Sequence, residues 1–283
     1  RNKAGGPSPK HQPVTRRFSR LRSGFGSVCM LCPFSLVALV ACMLPALTSS
    51  AHGPLGLLEF HAVQPSEKIR HAVDTQSSVD SDRSATQLSG PAFFGLSVGG
   101  LNLPQPKVPA FLSAYKIENP PAPKIRKLTV LDPIGGSRTY AIGPASFLLS
   151  PAQCISEGPP PEIPHGLEHY KAYAIIDAPR MDKQLDIQRV DKNKKTSTAK
   201  RKIGSAKFIC VPTNQWHHGE SVRVWHKRDA FVIYDLDPQP SAETFAVIGQ
   251  FGLNQLKSKT SAWLATSAKL IDSPTTADKS TLK

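Results

Sequence analysis

The chain of 283 residues carries 35 Lys and Arg against 21 Asp and Glu, a formal net charge of +14, and contains 26 prolines. Proline fixes φ and removes a backbone donor, so this many interruptions exclude a helical bundle or a long coiled coil. With 40% hydrophobic residues, the chain is also too apolar to be disordered throughout.

Residues 1–51 hold seven basic residues and no acidic one, with an apolar stretch over 28–47 and Ser49-Ser50-Ala51 at the end. A basic start, an apolar centre and a small-residue site are the order of a secretory signal. The reading predicts cleavage before His52, a secreted or cell-envelope location, and no membrane span once the signal is gone. Pro33 and Pro45 interrupt the apolar stretch and argue against a retained spanning helix. Leu39-Val40-Ala41-Cys42 supports an alternative, a lipoprotein anchored at Cys42. Removing the leader leaves 28 basic residues against 21 acidic, an excess of +7.

Beyond the leader, 74–90 is Ser-rich and almost wholly polar, so 52–90 reads as a partly disordered linker with one short strand-like piece near 55–63. The globular part is then 91–270, followed by a polar tail over 271–283. Inside it, FLSAYKI (111–117), HYKAYAI (169–175) and FVIYDL (231–236) each open a segment. FLLSPA (147–152), FICVPT (208–213) and WLATSA (263–268) each close one. The opening tyrosines Tyr115, Tyr173 and Tyr234 are 58 and 61 residues apart. A period of that size is one supersecondary unit copied, burying against its neighbours a face it cannot bury alone.

The units run about 111–153, 169–213 and 230–270. Alternating apolar residues such as Ile125, Leu128 and Val130, with Pro and Gly between segments, predict three or four short strands per unit. The expected class is all-β: three tandem units of about 60 residues in a sandwich or barrel-like array, with a pseudo-threefold trefoil as the alternative.

These motifs resemble a bacterial extracytoplasmic repeat domain of unknown function, whose units open HYxCYK, carry DQFG in the middle and close LCVP before an HxGE-like loop. The matching residues here are HYKAY (169–173), FICVP (208–212), WHHGE (216–220) and GQFG (249–252). The resemblance implies exported β-modules and no known reaction. Its opening cysteine is replaced by Ala172, and Ala114 stands at the same place before Tyr115. A bridge within a unit is thereby removed, leaving Cys210 to pair with Cys154 or stay free.

The densest polar constellation is 216–226, where His217, His218, Glu220 and His226 are the candidate metal ligands. A catalytic zinc needs three such ligands and an open position, yet neighbouring histidines on an extended strand point opposite ways. Cys154 and Cys210, the cysteines remaining after export, read either as a disulfide pair or as two buried thiols. Cys210 lies in apolar FICV, and neither Ser150 nor Ser267 stands in a nucleophile elbow. The three tyrosines read as core, or as a carbohydrate platform if they face outward.

The remaining feature is a basic cluster over 180–207. Its segment 192–202 reads as a mobile loop in which Lys194, Lys195, Lys200, Arg201 and Lys202 are candidate anion-binding residues. It lacks interleaved aromatics, which points away from nucleic acid. The expectation is an exported non-enzymatic module with a binding or structural role, meeting an acidic polymer, a glycan or an envelope protein, and needing no cofactor. The alternative is a metal-dependent hydrolase using 216–226.

Overall fold

The computed structural model describes residues 56–67, 70–102, 106, 108–120, 125–155, 160, 162–164, 166–190, 195–271 and 275–276. The leader, its cleavage site, Cys42 and Lys194 lie outside them. The described residues are all-β and contain no helix, and they repeat one plan four times. Unit I is β1 (Leu57–Pro65), β2 (Arg70–Ser77) and β3 (Ser84–Val98); unit II is β4 (Phe111–Ile117), β5 (Arg126–Asp132) and β6 (Gly136–Ile155). Unit III is β7 (Tyr170–Ile175), β8 (Lys183–Val190) and β9 (Thr196–His217), followed by the short β10 (Glu220–Val222). Unit IV is β11 (Asp229–Pro240), β12 (Thr244–Gly249) and β13 (Gly252–Leu270), and β14 (Thr275–Thr276) follows.

The linker expected over 52–90 is therefore corrected: it carries β1, β2 and the start of β3. The three units read from the sequence are present as β4–β6, β7–β9 and β11–β13, and β1–β3 add a fourth of the same plan ahead of them. Pseudo-threefold symmetry gives way to pseudo-fourfold.

The first strand of each unit pairs antiparallel with the second half of its long third strand, and each unit pairs with the next. These pairings run β1, β3, β4, β6, β7, β9, β11, β13 and return to β1, a closed ring with no free edge. Alternate residues face the lumen. There the closing aromatics meet: Phe93 stacks on Trp263 at 3.7 Å, Phe147 and Phe208 are edge-on at 5.5 Å, and Phe147 reaches Trp263 across the ring at 5.7 Å.

In the next lumen layer each opening and closing pair includes a small residue. Phe60 faces Gly95, Ala114 faces Leu149, Ala172 faces Cys210, and Ile233 faces Ala265. Gly95 is obligatory, because a Cβ there would lie 2.6 Å from the Phe60 ring. Cys210, fully buried in this layer, and Cys154, near the far end of β6, are both free thiols. This corrects the disulfide alternative: lumen packing commits Cys210, and its burial pushes the thiol pKa up.

The middle strand of each unit and the first half of its long strand form a hairpin arm: β2–β3, β5–β6, β8–β9 and β12–β13. Each arm crosses the outer face of the ring and pairs with the end of the long strand two units away. β2 pairs with β9, β5 with β13 and β12 with β6, while Gln188 of β8 bridges to Gly99 just after β3. The outer core lies between ring and arms. There the opening tyrosines occupy equivalent positions, Tyr115 opposite Leu148, Tyr173 opposite Ile209 and Tyr234 opposite Leu264, and all three are buried. His61, opposite Phe94, takes that position in unit I.

Candidate functional site

Basic residues 195–202 form part of an arm, not a mobile loop. β9 begins at Thr196 and pairs with β8 along its length, so alternate side chains face opposite ways. Arg201 turns inward and is 1% exposed; it donates to Glu59 Oε1 at 2.9 Å and to Asp237 Oδ1 at 2.9 Å. Arg189 also donates to Glu59 Oε2 at 2.6 Å. Burial works to raise the Glu59 pKa, but the Arg189 hydrogen bond and charge, with Ser261, outweigh it and hold the carboxyl below its usual value. Lys202 remains outside, 3.1 Å from Asp182, and Lys195 has a partner of its own. Arg201 is thus removed from the expected anion-binding set: it is an internal counter-ion for Glu59.

The segment 216–226 forms the connection from unit III to unit IV. β9 ends at His217, and β10 folds straight back with Glu220 opposite His217, Ser221 opposite Trp216 and Val222 opposite Gln215. The two residues between have φ of 49° at His218 and 84° at Gly219, the left-handed pair demanded by a tight hairpin. This explains the His-Gly step as turn chemistry, since glycine adopts such a φ without steric penalty. It also corrects the expectation that His217 and His218 diverge: the turn brings their rings to 3.9 Å.

The connection is fastened by Glu168, a buried residue preceding β7. Its Oε1 accepts backbone N–H groups of Trp225 at 3.0 Å and His226 at 3.3 Å, and lies 3.4 Å from His226 Nδ1. Asn214 Oδ1 accepts the Val224 N–H at 2.8 Å. The result is a cleft of about 1030 Å³ between the end of β6, the segment before β7, the β9–β10 hairpin and the tip of the unit IV arm.

His217, His218, Glu220 and His226 all line this cleft, as do Gln215, Trp225, Glu168, His169 and Gln250. They do not converge into a ligand set. Among the described residues no group of three or more His, Cys, Asp or Glu is placed to hold a metal ion. His226 is instead engaged by Glu168. His169 contacts the Gln250 side chain, and burial lowers its pKa to about 4. His217 is also lowered, by burial and by His218, despite the opposing effect of Glu220.

Two residues that sequence reasoning passed over stand out. Gln215 is fully buried, and neither its amide oxygen nor its nitrogen has a hydrogen-bond partner among the described residues. Trp225, in the same wall, is 84% exposed. Trp225 lay within the motif as a large aromatic next to a candidate ligand. Gln215 carried no signal, because its burial comes from pairing with both β2 and β10.

A family described as a repeat of unknown function (DUF7450) matches residues 111–267. The chain belongs to this family. The matched span opens with β4 and takes in units II and III and most of IV, while unit I precedes it with the same strand plan. No curated protein and no solved structure matches the chain.

Proposed function

We propose that this member of the repeat family is an exported, non-enzymatic binding module whose interlocked ring displays the cleft between units II, III and IV as its ligand site. The cleft carries the reading. It encloses about 1030 Å³, its walls come from four separate segments, and the strands behind it are closed into a ring. The groups with reactive potential have structural positions: His218 forms a turn, His226 meets Glu168, and Cys210 fills the lumen. Export rests on the acid-free basic leader and the Ser49-Ser50-Ala51 site.

Val222→Trp tests the binding reading, since Val222 is a partly exposed wall residue whose enlargement fills the cleft. The probes are soluble oligosaccharides, an acidic polysaccharide and short peptides, screened by thermal shift. The expected result is a probe that stabilises the natural chain and leaves the variant unaffected, with equal melting temperatures in the absence of probe. A panel in which nothing stabilises the natural chain selectively would remove the proposal. N-terminal sequencing of the native protein tests export, with His52 the expected start and a lipid-bearing Cys42 the contrary result.

A further inference from the structure

We propose that the cleft takes an uncharged, polyhydroxylated ligand, an oligosaccharide, an assignment that rests on the cleft being the binding site. The first support is Gln215. An amide offers a donor and an acceptor side by side, and a buried amide left without partners loses the hydrogen bonds it had with water. Adjacent sugar hydroxyls, which donate and accept, satisfy both ends together. The second support is Trp225. Its indole is exposed beside the cleft, and Glu168 holds its backbone, so an apolar ring face is displayed from an anchored main chain. Such a face stacks on the C–H face of a pyranose while the hydroxyls turn to polar groups.

Charge disfavours an anionic ligand. Glu168 is committed to the connection, and the other acidic and basic side chains of the wall besides its histidines, Glu220 and Arg223, are of opposite kind. A phosphate or an acidic polymer would meet no field of one sign. A peptide is the outcome the test must separate.

The experiment uses the mature chain with cellohexaose, xylohexaose, maltohexaose and chitohexaose, alongside polygalacturonate and a mixed hexapeptide library, by calorimetry and tryptophan fluorescence. At least one neutral hexasaccharide should saturate the protein. Trp225→Ala should weaken it about tenfold or more, and Trp225→Phe should retain most of the affinity. Gln215→Leu keeps the shape and removes the unpartnered amide, so binding should be lost while the melting temperature holds or rises. A marked fall in melting temperature for Gln215→Leu would make the amide structural and overturn the assignment. Binding of polygalacturonate or peptide that Val222→Trp abolishes, without hexasaccharide binding, would overturn the ligand class and leave the cleft reading standing. If no probe binds in a way that Val222→Trp disturbs, both fall.

Discussion

Units I and III exchange arms through buried charges, whereas units II and IV exchange theirs through neutral contacts and a single carboxylate. At one equivalent outward slot of the ring stand Glu59, Ser113, Lys171 and Val232 in units I to IV. The unit III arm brings Arg189 and Arg201 to Glu59, and the unit I arm brings Asp80 to within 2.7 Å of Lys171. Between II and IV, Tyr234 donates to Asp132 at 3.0 Å, and Tyr115 meets Phe251 edge-on at 4.7 Å. Four arms with one backbone plan need a way to dock in the right places. Opposite charges at Glu59 and Lys171 mark two docking sites, because an exchanged arm would bury like charge against like.

The largest expected losses come from breaking that charged exchange. Glu59→Ala takes from Arg189 and Arg201 the buried carboxylate they share, leaving Arg201 only Asp237, and Asp80→Ala strands Lys171 inside the protein; removing one partner of a buried pair costs about 3–5 kcal/mol. Urea denaturation should show midpoint shifts of that size. Glu59→Leu combined with Arg189→Met and Arg201→Met should recover much of the loss, since apolar replacements leave neither guanidinium without its carboxylate. Tyr234→Phe probes the neutral exchange. It removes one hydrogen bond to a carboxylate and should cost roughly 1.5–3 kcal/mol by the same measurement.

A smaller effect is carried by pH. His61 and His169 are both lowered from 6.5 to about 4, first by burial. The unfolded chain therefore takes up protons before the folded one, so stability falls as pH drops from about 6.5 towards 4. Glu59, also held low, adds a further loss as pH falls below 4.5. His169→Gln should flatten the slope of denaturation midpoint against pH between 6.5 and 4. An unchanged slope would assign the acid sensitivity elsewhere. Least of all should matter Lys200→Ser with Lys202→Ser: both side chains are exposed, and the change should stay within about 0.5 kcal/mol.

The same contrast decides what could be read from the chain. Units II to IV announced themselves through Tyr115, Tyr173, Tyr234 and the closing aromatics, because lumen and outer core demand a large apolar side chain at fixed positions. Unit I has His61 in the tyrosine slot, and its arm is stabilised by polar pairs such as Thr75 with Thr86 at 2.8 Å and Ser77 with Tyr173 at 2.7 Å. A polar segment whose hydrogen bonds are satisfied inside the fold has the composition of a linker. Residues 195–202 misled for the same reason, since Arg201 is buried by pairing rather than by apolarity. The cleft was half visible. His217, His218 and His226 lay in one motif, but Glu168 and His169 come from the segment before β7, and Gln250 comes on the tip of the unit IV arm.

Four units close one ring and lock it with arms that reach two units away. Fragment 111–271 keeps the span matched by the family and lacks unit I, and so loses β1, β3 and the arm that pairs with β9. Its two-dimensional amide NMR spectrum tests the claim most directly. The expected result is a collapsed spectrum without dispersed β-sheet resonances and no cooperative melting, because the ring is open and the Tyr173 face uncovered. A dispersed spectrum with cooperative melting near that of the full chain would contradict it, and would make units II to IV a self-sufficient domain.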